Sequence, residues 1–226
     1  MSAVKLTMFF NIALRALASF FLFPLFFALL FVSTTPAVAG PYTDPGWATD
    51  DMIGWATSVE DVEIGPMDIA DPEAGLAAGG AAENVLGAAT TDSADVITLG
   101  DGGSIVLGFE QGIGDADGAD FAVFENGFWV QFVGLFAEFA FVEVSTNGQD
   151  FARFDSISLR DKAVLSFDAV DPTNYYNLAG DQPGSIDGTS LGTGFDLSEL
   201  AGHELVSSGL LNLGNIQYVR VIDVIG

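Results

Sequence analysis

The chain has 226 residues, of which 31 are acidic and six are Lys or Arg, giving a formal net charge of −25 at pH 7. So anionic a protein lacks the cationic surface that releases counterions from nucleic acid or anionic lipid, which excludes both as expected partners. With no Cys it can form no disulfide and no Cys-His nucleophile, and its single His, His203, sits in a Gly-rich loop where a surface role is the ordinary one.

Residues 1–39 read as a signal peptide. Lys5 and Arg15 form a positive start, Phe20 to Val32 an apolar stretch, and Ala37-Val38-Ala39 a small-residue cleavage site. An uncleaved membrane anchor is the competing reading, and the Ala-x-Ala box favours cleavage. The segment contains no acid, so its removal makes the remaining chain still more negative. The expected location is outside a bacterial cell or on its surface.

Residues 40–95 are rich in Gly, Ala, Pro and Asp, with short apolar words, and predict an irregular lead-in packed on a domain over 96–226. Residues 40–226 suit one domain by length. A period of two begins at Val96: Val96–Leu99 predicts a strand, Gly100-Asp101-Gly102-Gly103 a turn, and Ser104–Phe109 a second strand with Ile105, Leu107 and Phe109 on one face.

The stretch Gly112–Asn126 gathers Asp115, Asp117 and Asp120 among three glycines, then a short apolar strand ending in Glu125-Asn126. Carboxylates on a Gly-punctuated loop suit Ca²⁺, which takes about six to eight oxygens at roughly 2.3–2.6 Å. The spacing is not that of an EF-hand, and a solvated acidic turn is the equal alternative. The candidate metal ligands are Asp115, Asp117, Asp120, Glu125 and Asp223, all hard oxygen donors; one His and no Cys disfavour zinc.

Phe128, Trp129, Phe132 and Phe136 follow in an apolar run that Gln131, Gly134 and Glu138 interrupt, so it predicts no membrane span. These aromatics serve either the core or a binding platform. Asn126, Phe128 and Trp129 are the candidate ligand-binding residues, Trp129 being the one expected to be partly exposed.

Thr146-Asn147-Gly148-Gln149 predicts a type I′ turn joining Phe139–Ser145 to Phe151–Phe154. Ile157–Leu159 and Val164–Phe167 are further short strands. Asp168–Leu200 reads as a long polar, Gly-rich excursion, and Ile216–Ile225 as a closing strand with Arg220 and Asp223 inside it. The fold class these elements define is all-β: an antiparallel β-sandwich of jelly-roll type with long irregular loops.

The phrases Gly102–Phe109, Gly118–Asn126, Phe136–Ser145, Gly192–Leu197 and Tyr218–Asp223, taken together, resemble exported bacterial cell-surface proteins of the kind anchored by PEP-CTERM sorting tails. Val142–Phe151 is similar to the hairpin of discoidin and galactose-binding-like jelly rolls. The hairpin resemblance implies a carbohydrate- or surface-binding sandwich, often with a structural calcium, and the function expected is a non-enzymatic binding module. The competing classes are a carbohydrate-active hydrolase using Glu125 or Glu143, which requires two carboxylates about 5–9.5 Å apart, and a purely structural envelope or matrix protein. Glu125, Glu138, Glu143 and Asp223, the acids embedded in apolar strands, have a cation to ligate or Arg153 and Arg220 to pair with as the alternative to catalysis, since an unpaired buried acid is costly.

Overall fold

The computed structural model describes residues 2–5 and 40–225, apart from 91, 93–94, 131–133, 163, 165–167 and 183–190. The apolar stretch and cleavage box of the expected leader therefore lie outside the described residues, as do Phe132 and most of the expected strand at 164–167. No described helix is long and apolar enough to cross a membrane.

In chain order the described strands begin with β1 (Ser2–Lys5), β2 (Trp47–Ala48), β3 (Gly54–Trp55) and β4 (Ser58–Glu63). They continue with β5 (Ser104–Ile113), β6 (Phe121–Phe124), β7 (Phe128–Val130), β8 (Gly134–Phe136) and β9 (Ala140–Ser145). The rest are β10 (Ala152–Arg153), β11 (Ile157–Ser158), β12 (Tyr175–Tyr176), β13 (Leu191–Phe195) and β14 (Ile216–Asp223). The one α-helix described is a single turn, α1 (Glu204–Ser207).

Ten strands form two five-stranded sheets, ordered β2-β13-β6-β1-β3 and β10-β9-β14-β5-β4. Pairing is antiparallel except around β1, which lies parallel to both β6 and β3. Alternation explains what fills the space between the sheets. Ile105 and Leu107 of β5, Val142 and Val144 of β9, and Val219 and Val221 of β14 face Phe121 and Val123 of β6 and Phe195 of β13, all buried in one cluster. Phe121 stacks on Phe195 at 5.3 Å and meets Phe154 edge-on at 5.9 Å, so three rings tie the two sheets together. The molecule is an all-β sandwich.

The opposite face of β6 is covered too. Ala122 and Phe124 pack under Trp47, Met52 and Trp55 of the lead-in, which explains why β6 is apolar on both faces rather than alternating. Ala56, Val85 and Ile97 reach the main core.

Three local expectations need correction. Val96–Leu99 is buried but is not a strand: it makes one bridge, Ile97 to Gly80, and the edge of β5 it was expected to occupy is taken by the longer β4. The 145–152 connection is a hairpin, with Ala152 opposite Val144, but not a type I′ turn, because Gly148 has positive φ and Asn147 does not. Instead the Asn147 side chain accepts from the amides of Gln149 and Asp150, both at 2.9 Å. Finally, the 168–200 excursion contains β13, a strand inside a five-stranded sheet. Its glycines conceal it: a Cβ on Gly192 would stand 3.0 Å from Ala122 and from the Phe124 ring, and one on Gly194 would stand 2.5 Å from Trp47 Nε1.

Candidate functional site

The acidic loop acquires its shape from Asp120, which stands just before β6. Its amide donates to the Phe195 carbonyl at 2.8 Å and extends the β6–β13 pairing by one residue. The side chain then accepts from the Ala116 amide at 2.8 Å and the Leu197 amide at 2.9 Å, tying the loop to the turn after β13. Asp196 sits in that turn and caps the 3-10 helix Leu197–Leu200 through the Ser198 amide at 2.9 Å. Asp115 is placed from the other side, its amide donating to the Leu213 carbonyl at 2.9 Å.

The result is a carboxylate centre. Oxygens of Asp115, Asp120 and Asp196 all lie within 4.8 Å of one another. Burial raises the Asp120 pKa and its two amide bonds partly offset this; the charges of Asp115 and Asp196 push it up further. Three converging carboxylates can hold a metal ion, and their oxygen chemistry suits a hard one. Of the five metal candidates read from the sequence, the structure brings Asp115 and Asp120 together here. Asp117 is exposed and outside the group, and Asp196, which the sequence reading passed over, completes it.

Glu125 and Asp223 belong to a second group at another place in the fold. Glu125 is 4 % exposed and accepts from the Gly127 amide at 2.6 Å, with the amides of Asn126 and Glu138 also directed at it. Asp223 accepts from the Gly102 amide at 3.3 Å at the end of β14. Glu138 lies between them electrostatically. Burial, then the Glu138 charge, holds Glu125 well above the ordinary carboxyl range. Burial, then the same Glu138 charge, lifts Asp223 to about 8, while burial and Asp101 lift Glu138 to about 7. The described arginines are engaged elsewhere: Arg153 and Arg220 with Glu143, Arg160 with Asp168. Burial and mutual repulsion thus make all three harder to ionise than free carboxyls.

Glu143 is a structural anion. It is buried on β9 and accepts from Arg153 Nε at 2.8 Å and Arg220 Nε at 2.6 Å, its two neighbours in register on β10 and β14. His203 is a capping residue, its Nδ1 accepting from the Leu205 amide at 3.1 Å at the start of α1.

Of the candidate ligand-binding residues, Asn126 is buried, Phe128 is half-buried and stacks on Phe136 at 5.5 Å, and Trp129 is 49 % exposed on the β7–β8 hairpin. A described cavity with both aromatic and acidic lining lies elsewhere. A groove of about 440 Å³ lies between the lead-in before β2, strand β12 and the start of the turn after β13. Tyr42, Trp47 and Tyr176 supply its aromatic surface, Tyr42 stacking on Tyr176 at 5.3 Å, while Tyr175 is buried behind them against Phe139.

Asp44, Asp181, Asp196 and Glu199 supply the charge. Asp44 is fixed by the amides of Gly46 at 2.8 Å and Gly194 at 3.0 Å, and Asp181 by the Thr193 hydroxyl at 2.6 Å. Glu199 accepts from the Tyr176 hydroxyl and from Asn177 Nδ2, both at 2.5 Å. The Tyr176 hydroxyl is pushed up to about 12, first by that bond. Asp196 belongs to both the three-aspartate centre and the groove. The sequence signal for the groove was present but dispersed, as Tyr42 to Trp47 and the Tyr175-Tyr176 pair, which only β13 brings together.

Comparison of the chain with protein-family models, with curated proteins and with solved structures returns no match. The class the geometry defines is thus an all-β sandwich with a three-carboxylate centre beside an aromatic groove.

Proposed function

We propose that this protein is an exported, non-enzymatic binding module of a bacterial surface, stabilised by Ca²⁺ and binding carbohydrate or another envelope component. The observation that carries the reading is the junction of groove and carboxylate centre at Asp196. Aromatic faces supply the flat apolar surface on which sugar rings stack, and fixed polar groups at the rim orient hydroxyls. A groove of about 440 Å³ falls within the roughly 300–1,000 Å³ typical of small-ligand sites. Calcium bound by Asp115, Asp120 and Asp196 would hold the turn after β13, and with it the groove wall, in place.

The hydrolase alternative loses one of its two acids to the Arg153 and Arg220 pairs of Glu143. The test is a titration of a neutral and charged oligosaccharide panel, followed by tryptophan fluorescence, with calcium and with chelator. Saturable quenching that Trp47→Ala abolishes and chelator weakens is the expected result. Hydrolysis of any panel member, or quenching indifferent to Trp47, overturns the reading.

A further inference from the structure

The groove's composition narrows the ligand. Resting on the carbohydrate reading above, we infer that the groove binds an amino sugar with a free, protonated amine, as in an oligomer of glucosamine, in preference to neutral or acidic sugars. Four carboxylates face the cavity, from the lead-in, the segment after β12 and the turn after β13, and no Lys, Arg or His is among its described lining residues. Arg160 reaches the Tyr175 hydroxyl, but it is paired with Asp168 and is not part of the lining.

Asp196 is the carboxylate that calcium would share, and the other three are held by dipoles rather than by a cation. Asp44 has two amides, Asp181 a hydroxyl, and Glu199 a phenol and a carboxamide. Such bonds fix the oxygens in position without supplying positive charge; burial raises the Asp44 pKa and lifts that of Asp181 to about 7, so the carboxylate most open to a cation is Glu199 at the exposed rim. The walls add to the same preference, because the faces of Tyr and Trp rings are themselves negative and attract an organic ammonium.

A sugar ring with an amine meets both requirements at once: the ring lies on the aromatic face and the ammonium donates to a carboxylate at the rim. A neutral N-acetylated sugar keeps the stacking and loses the ionic term. A uronic acid is repelled by the groove and by the chain's net charge of −25.

The experiment is isothermal titration of the full chain with four probes at a pH where the amine is protonated: a glucosamine tetramer, its N-acetylated counterpart, an oligogalacturonate and spermidine. The inference expects the glucosamine tetramer to bind at least about tenfold tighter than the N-acetylated one and the uronate not to bind. It also expects the difference to shrink severalfold in high salt. Glu199→Gln should weaken the glucosamine tetramer about tenfold and the N-acetylated tetramer less than twofold. The melting temperature is measured alongside, and the salt series on the unmodified chain gives the same answer should the variant unfold.

Equal binding of the two tetramers overturns the inference while leaving the carbohydrate reading intact. Spermidine binding without amino-sugar binding, or no binding by any saccharide, overturns both.

Discussion

Glu143 and Arg220 stand opposite each other in register on β9 and β14, and the buried carboxylate also receives Arg153 from β10 on its other side. Each arginine lies over a ring, Arg220 on Phe151 at 4.1 Å and Arg153 on Phe141 at 4.6 Å. Three strands are thus joined by one anion. Glu143→Ala should destabilise the fold by about 2 kcal/mol, below the roughly 3–5 kcal/mol of a fully buried pair because both arginines are partly exposed. Urea denaturation checks this. An unchanged midpoint would remove the structural role and reopen a catalytic one for Glu143.

Calcium should raise the melting temperature of the protein, since a ligand that binds only the folded state stabilises it by mass action. Asp115→Ala should abolish that rise while costing little in chelator, because the Asp115 carboxylate is exposed. Asp117→Ala should keep the full rise, as Asp117 is outside the converging set. Thermal scans of the three proteins with calcium and with chelator decide it; loss of the rise in Asp117→Ala would place the ion elsewhere in the loop.

The second acidic group gives the protein a pH dependence of definite sign. Asp223 ionises near pH 8 and Glu138 near pH 7 when folded, against 3.8 and 4.5 in the free residues. The folded state therefore binds more protons, so stability is fully present below about pH 4 for these groups and is lost as pH rises toward 8. In chelator the unfolding free energy should fall by a few kcal/mol, as an order of magnitude, between pH 5 and 8. Asp223→Asn should flatten this profile. Denaturation curves across that range measure it, and stability rising with pH would refute the assignment.

Gly192→Ala tests the concealed strand. Its Cβ would stand 3.0 Å from Ala122 Cβ and the Phe124 ring in the layer beneath Trp47 and Trp55. Overpacking of this kind costs about 1–3 kcal/mol. Calorimetry should show the loss, and Gly118→Ala, with open space around it but a φ of +80°, should cost less, through backbone strain alone.

What the sequence by itself determined is whatever depends on neighbours along the chain. Alternation in Ser104–Phe109 and Phe139–Ser145 and the β-branched run at Ile216–Asp223 marked three strands of one sheet, because burial of one strand face leaves a period of two. The Asn147-Gly148 pair marked a hairpin, and the glycines around Asp115 and Asp120 an acidic turn.

The tertiary structure decided where distant residues meet. Asp120 reaches the Leu197 amide 77 residues away only because β6 pairs with β13, and β13 carries only the weak alternation of Leu191, Thr193 and Phe195, since close packing against Ala122, Phe124 and Trp47 required glycine between them. That pairing put Asp196 rather than Asp117 into the carboxylate centre and assembled the groove from the lead-in, β12 and the turn after β13. The separation of Glu125 and Asp223 from the loop aspartates has the same origin. Ligand sets are fixed by register between strands far apart in sequence, and alternation along a single strand carries no record of its partner.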